Sequence, residues 1–520
     1  MSFPKVRFYQ KTQSLFTPER LTLALIGFGI LVRSIQYLAN RSLWVDEATL
    51  ALNIINRPLV DLFKPLAYEQ GAPLGFLAIE KLIVEAFGDY EYTLRLFPFV
   101  CGITSLFLFY QLAKQLITPW AIPIAVALFV TLKPLIYYTT EVKQYSSDVT
   151  IALLLYLVLM NIRQPKLQRR QIIQASMIGA IAIWFSHPAI FVLVGVEASY
   201  WLSCWLNRIK PNGWQRLWIY LVWLGSFSGF YLISLAKLGS NQRLLESWSK
   251  AFPRSIFDIS WLLMVLGQMF ANPLGFLSPL TLLAIFACLL GCSALWLQHR
   301  DHLILLLAPI GITLAAAYLH KYPFRDRLLL FLAPGLILLI AIGLHTLIRS
   351  RIHVKQFPQL RLVTFLGMIL LAILLTPAFS HATQLMIQPE QRQEIRPVLQ
   401  YIKNHQQSGD ILYIYQRGIH QFRYYAHKYD FSPKDYILGV DDLDVHDGKK
   451  LSAKERERYK ADLDRLRGNP RVWLLFSHAR VKAENQMIRA YLNEIGTRLD
   501  TYRQPGVFVY LYDLSRKKSV

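Results

Sequence analysis

The sequence predicts a mainly α, polytopic helical membrane protein with a small α/β domain at its C-terminal end. Three observations lead there. Long apolar segments recur between residues 20 and 380, basic residues gather in alternate loops, and from about residue 390 the pattern turns to short alternating helices and strands. Composition agrees: 54% of the 520 residues are hydrophobic and 17% are charged, far more apolar than a soluble chain of this size needs.

A helix needs roughly 20 apolar residues to cross the hydrocarbon core, with its backbone polar groups satisfied internally. Eleven segments read as spans: 21 to 39, 95 to 116, 121 to 138, 146 to 162, 172 to 188, 190 to 206, 215 to 236, 278 to 297, 303 to 319, 328 to 348 and 361 to 379. A further apolar stretch, 257 to 276, is broken by Asn272-Pro273 and Gly275 and reads as a re-entrant or interfacial helix or as one more span. The fold class is therefore a bundle of about 11 to 13 spans. No small-residue cleavage site follows the first apolar run, which makes it a signal anchor rather than a cleaved leader.

Orientation follows from the positive-inside bias. Lys5, Arg7, Lys11 and Arg20 precede the first span, Arg163, Lys166, Arg169 and Arg170 follow the fourth, Arg208, Lys210 and Arg216 follow the sixth, and Arg349, Arg351, Lys355 and Arg361 follow the tenth. The N-terminus is expected in the cytoplasm of a cell-membrane protein, and the C-terminal domain outside. The expected organisation is a transmembrane unit over 1–385, whose first outer loop is 40–94, and an extracytoplasmic α/β domain over 386–520. Apolar residues at helical spacing in the first outer loop suggest two short helices lying along the membrane.

In the terminal region, "EIRPVLQYIKNH", "QFRYYAHKY" and "AENQMIRAYLNEIG" read as helices, and "DILYIY", "RVWLLFS" and "GVFVYLYDL" as strands. No Gly-rich phosphate loop is present, so no nucleotide cofactor is expected. The formal charge of +23 would suggest nucleic acid in a soluble protein, but here it belongs to loops between spans, and no nucleic-acid partner is expected. Cys101, Cys204, Cys288 and Cys292 all lie in apolar segments, which excludes a disulfide framework.

Ionisable residues collect at the outer span ends: Arg33, Asp46 and Glu47, Glu69, Arg95, Glu141 with Lys143, His187, and His320, Lys321, Arg325 and Arg327. Singly, each has an ordinary explanation. Arg33 can snorkel, Arg95 can cap a span, His187 before Pro188 can be a loop residue, and "KYPFRDR" can be a solvated turn. Together they make a mixed carboxylate and cation cluster at one membrane face, which suits a phosphate-bearing lipid.

The ordered blocks "SLWVDEA", "YEQGAPLGF", "RLFPFVCGI", "YYTTEVKQYSSD" and "KYPFRDRLLLFLAPG", over roughly residues 20 to 350, resemble the GT-C membrane glycosyltransferases of the protein O-mannosyltransferase and aminoarabinose-transferase type, glycosyltransferase family 39. The resemblance implies an enzyme that moves a sugar from a polyprenyl-phosphate carrier to an acceptor outside the cytoplasm, a protein, a lipid or a glycan. It makes Asp46 the catalytic acid and Glu47 the second acid of the pair. It places Glu69, Glu141, Lys143 and Tyr145 beside the substrate, and Arg327, with Lys321, Arg325 or Arg95 in support, on the donor phosphate. A divalent cation held by Asp46 and Glu69 is a candidate cofactor. The chain departs from the pattern in "GAP", which lacks the family's Lys, and at Leu328, where the usual residue is Tyr. The alternative expectation is a transporter or flippase of a lipid-linked or anionic substrate. Against it, no inverted repeat is visible and the charges lie at span ends.

Overall fold

A computed structural model describes residues 17–236, 248–350, 362–440, 452–479 and 482–515. Lys5, Arg7, Lys11, Arg351, Lys355 and Arg361, which carry part of the loop charge bias, lie outside the described residues. Helix α1 (Pro18–Leu38) leads to α2 (Val45–Asn56), a 3-10 turn at Leu59–Phe63 and α3 (Leu74–Phe87). The bundle continues with α4 (Glu91–Leu116), α5 (Ala121–Thr131), α6 (Lys133–Tyr137), α7 (Tyr145–Met160), α8 (Arg169–Phe185), α9 (Ala189–Leu206) and α10 (Gly213–Phe230). It closes with α11 (Ile259–Ala271), α12 (Leu280–Gln298), α13 (Arg300–Tyr318), α14 (Ala333–Arg349) and α15 (Leu362–Ile387).

Every expected span falls on a helix. Among the described residues eight helices are long and apolar enough to cross a membrane, and α5 with α6, bent by 63°, adds a ninth if the pair is one span. The two remaining expected spans are α7 and α8, of 16 and 17 residues. At 1.5 Å per residue α7 is about 24 Å long, short of the roughly 30 Å core. The interrupted stretch 257 to 276 folds as α11, 13 residues that are too short to span, with Leu263 and Met264 exposed.

The bend between α5 and α6 has a chemical cause. Pro134 carries no N–H, so the carbonyl of Val130 loses its helical donor and the helix breaks at Leu132. Arg33 repairs the break. Its Nη1 donates to the carbonyls of Gly29 and Val130, both at 3.2 Å, and its Nη2 to those of Phe129 at 3.3 Å and Leu135 at 3.1 Å. Instead of snorkelling to the interface as expected, Arg33 is fully buried. Elsewhere small residues bring helices together: a Cβ at Gly291 of α12 would run into the Leu339 carbonyl of α14, and one at Gly343 into the Ala287 carbonyl.

Beyond α15 come α16 (Ile395–His405), β1 (Ile411–Ile414), α17 (Ile419–Ala426), β2 (Tyr436–Leu438), α18 (Ala453–Asp464), β3 (Val472–Ser477), α19 (Lys482–Ile495), β4 (Thr497–Gln504) and β5 (Val507–Asp513). The sheet order is β2-β1-β3-β5-β4, with β1 parallel to β2 and β3, and β5 antiparallel to β3 and β4. All six elements expected here are present. Strands β2 and β4 and helix α18 were not expected: β2 has three residues, β4 is a polar edge strand, and α18 is polar nearly all round.

The domain is docked on the bundle through α17. Gln421 donates to the Leu43 carbonyl at 2.6 Å, while Tyr425 Oη accepts from Leu43 N at 2.8 Å and donates to Glu91 Oε1 at 2.9 Å. The start of α2 therefore lies between spans and domain. Replacing Arg33 by Leu strands the carbonyls at the α5–α6 break, and the expected loss of stability is about 3 kcal/mol, measured as a lowered melting temperature in detergent.

Candidate functional site

The site grows from the segment before α2. Residues 41–43 carry no helical hydrogen bonds of their own, and side chains from distant parts of the chain hold them and their neighbours. Arg95 on α4 donates to the carbonyl of Arg41 at 2.6 Å. Glu394 accepts from the amide and hydroxyl of Ser42 at 3.1 and 2.9 Å, and Gln393 from the amide of Val45 at 3.1 Å. The Arg392 guanidinium lies 3.3 Å from the centre of the Trp44 ring and donates to the Tyr137 hydroxyl at 2.8 Å.

Once α2 begins, its first turn carries both acids, where the exposed N–H groups favour negative charge. Their surroundings differ sharply. Glu47 is fully buried and forms a two-point ion pair with Arg95: Nε to Oε1 at 3.0 Å and Nη2 to Oε2 at 2.8 Å. It also accepts from the amides of Val142 at 3.0 Å and Trp44 at 3.3 Å. Both oxygens are occupied.

Asp46, the preceding residue, points the other way. Its Oδ1 lies 3.0 Å from Lys143 Nζ and its Oδ2 2.7 Å from Arg327 Nη1, and the Asp46 side chain is 19% exposed. Lys143 is itself buried and also donates to Gln70 Oε1 at 2.6 Å. Arg327 stands 5.3 Å over the Tyr145 ring. An accessible carboxylate thus sits between two cations, one of them partly open to solvent.

Electrostatics separates the acids further. Burial would raise Asp46, but Lys143 and Arg327 outweigh it and hold the carboxyl well below its ordinary range. Burial likewise opposes ionisation of Glu47, and Arg95, Arg41 and the Val142 amide hold it ionised. Glu141 behaves in the opposite sense: burial first, then the charge of Glu47, pushes it above its ordinary value. Glu141 Oε1 accepts from Trp44 Nε1 at 3.2 Å and its Oε2 has no partner.

Of the residues singled out in the sequence, Asp46, Glu47, Arg95, Glu141, Lys143, Tyr145 and Arg327 come together. Lys321 and Glu69 are exposed, and Arg325 turns to Asp326 at 2.9 Å. Glu69 lies in a left-handed turn with Tyr68, whose ring is 4.1 Å from His420. Arg95 is occupied by Glu47 and by backbone carbonyls. Gln70 and the Arg392 to Glu394 strap were not anticipated. The strap's partners lie about 350 residues away, at a separation no local spacing encodes.

The donor set does not fit a resident divalent cation. Both oxygens of Asp46 face cations, Glu69 is exposed, and among the described residues no three His, Cys, Asp or Glu side chains form a metal-binding group. No step below runs through a metal.

Two outcomes test this division. Glu47→Gln breaks a buried pair and leaves Arg95 uncompensated, so a loss of about 3–5 kcal/mol is expected, whereas Asp46→Asn keeps the protein folded. Glu141 holds a proton in the folded state that the unfolded state has lost, so its contribution falls as pH rises from about 4.5. The melting temperature of Glu141→Gln, which retains the Trp44 acceptor, should gain on that of the wild type as pH rises above about 4.5.

No protein-family model matches the chain, and no curated protein does. Solved structures do. Over 94% of this chain and 98% of the other, the fold is similar to ArnT from Cupriavidus metallidurans bound to undecaprenyl phosphate, with a TM-score of 0.52 at 11% identity. Over 94% of this chain and 74% of the other, it is similar to the archaeal oligosaccharyltransferase AglB from Archaeoglobus fulgidus in complex with an inhibitory peptide and a dolichol-phosphate, with a TM-score of 0.52 at 11% identity. With its apolar helices and small terminal sheet, the chain is a multi-pass membrane protein with the GT-C fold.

Proposed function

We propose that this protein is an integral-membrane glycosyltransferase that takes a sugar from a polyprenyl-phosphate carrier and transfers it to an acceptor on the outer face of the cell membrane. The observation that carries the reading is Asp46 held between Lys143 and Arg327. The ArnT and AglB structures contain undecaprenyl phosphate and dolichol-phosphate respectively, which supports a carrier of this class. The basic residues at alternate span ends support a cytoplasmic N-terminus. The acceptor is a protein, lipid or glycan, and the α/β domain stands over the site where it approaches.

In the transfer, an acceptor hydroxyl or amine attacks the anomeric carbon and the bond from that carbon to the phosphate oxygen breaks. The electron pair leaves with the lipid phosphate. Arg327 and Lys143 face the charge that develops there, and Asp46 takes the acceptor proton. The same cations that depress Asp46 are drawn to the incoming phosphate. Asp46 then becomes more basic when the donor is bound. Glu47 and Arg95 position this acid and take no part in the bond changes. Lys321, Arg325 and Glu69 stand outside the reacting groups.

Purified full-length protein in nanodiscs, given a radiolabelled undecaprenyl-phosphate sugar and membranes as acceptor, tests the reading. Asp46→Asn should lower transfer by at least about 100-fold with the fold intact. Arg327→Ala should lower turnover by about 100- to 1,000-fold. Transfer by Asp46→Asn at the wild-type rate contradicts the assignment.

A further inference from the structure

Behind the Asp46 site lies a second group of polar side chains that the transfer chemistry leaves unused. Asp148, on the first turn of α7, is buried and its Oδ1 has no partner. The hydroxyl of Ser186, just after α8, which packs on α7, is also buried and without a partner. Next to it His187 leaves Nε2 without a partner, and burial pushes its imidazole down to about 4, so the ring is neutral at pH 7. Glu80, on α3, which packs against α4 and α8, is fully buried with both carboxyl oxygens unpartnered. The pieces meet because Phe185 packs its ring directly on Gly75, at the start of α3.

The chemistry of this group restricts what can enter. Two buried acids with no cation beside them offer a phosphate no opposite charge to pair with. An isoprenoid tail would leave every one of these polar atoms unsatisfied. An uncharged group carrying several hydroxyls satisfies them, because each hydroxyl both donates and accepts. Position points the same way. Asp148 follows Tyr145 by three residues, so it lies on the same helix face about 4.5 Å further along the axis. Tyr145 is the ring beneath Arg327. Tyr322, from the loop that carries Arg327, adds an aromatic face beside Phe191 at 4.8 Å.

We propose that Asp148, Ser186 and His187 form the subsite that recognises the hydroxyl groups of the carrier-borne sugar, with Glu80 as its rear wall. The assignment rests on the glycosyltransferase reading and deepens it: Arg327 and Lys143 hold the phosphate, and this pocket tells a loaded carrier from a bare one.

The test compares two affinities of the full-length protein in nanodiscs, one for undecaprenyl phosphate and the other for undecaprenyl-phosphate-linked glucose, mannose and arabinose. The wild type should bind at least one sugar-linked form about tenfold more tightly than the bare carrier, the weight of a hydrogen bond or two. The Asp148→Ala, Ser186→Ala double variant should bind loaded and bare carriers alike. Its unchanged affinity for the bare carrier shows that it is folded, and Asp148→Asn should restore part of the preference. A preference that survives in the double variant overturns the subsite. So does a wild type with no preference for any loaded carrier, which leaves a pocket for water only. A wild type that binds no carrier in any form overturns the enzyme reading itself, a result distinct from the other two.

Discussion

The ion pair of Glu47 with Arg95 is the contact on which the candidate site of this protein depends. It joins the first turn of α2 to the first turns of α4, and the same guanidinium fixes the backbone of residues 41 and 42. Such a pair, out of water and with every lone pair matched, adds little over an apolar contact of the same shape. Its value is geometric. Removing either partner leaves a buried charge, so the chain has one low-energy way to enter α2, and that way aims the neighbouring residue, Asp46, at Lys143 and Arg327.

Adjacent acids of almost identical chemistry therefore acquire different roles from their surroundings alone. Glu47 faces inward to one bidentate partner and two amides, while Asp46 faces two cations that a ligand can claim. Glu141, a third acid nearby, is pushed the other way by burial and by Glu47. Of three carboxyls in one small region, two are thus held ionised and the third is biased toward its protonated form. The site also combines two kinds of support: α4, α7 and the segment before α14 supply Arg95, Tyr145 and Arg327, and the strap of residues 392–394 clamps the segment before α2.

Much of this was legible in the sequence, for reasons that can be named. Apolar runs of span length and the short apolar strands of the terminal domain are local signals, so α1, α4, α9, β3 and β5 could be read directly. The outer-face residues could be collected because span ends are set by the same runs. What escaped notice depended on distance or on composition. Nothing in "QRQEI" announces that Arg392 stacks on Trp44, and a polar helix such as α18 offers no apolar stripe to read. The pairings escaped too: all four cations nominated for the phosphate look alike in sequence, yet Arg95 is committed to Glu47, Arg325 to Asp326, and Lys321 stands exposed. Lys143, nominated only as a neighbour of the substrate, is the one that joins Arg327 on Asp46.

The central claim is that Lys143 and Arg327, with Asp46 between them, are the seat of the carrier phosphate. The most direct measurement is a cryo-electron microscopy structure of the full-length protein in nanodiscs saturated with undecaprenyl phosphate. The account predicts phosphate density within about 3 Å of Arg327 and Lys143, hydrogen-bond distance for a charged pair, with the Asp46 carboxylate released from at least one of them. Phosphate density elsewhere contradicts it, for instance in the basic pocket formed by Arg396, Lys403 and Lys428 below the terminal domain, with the Asp46 pairs intact.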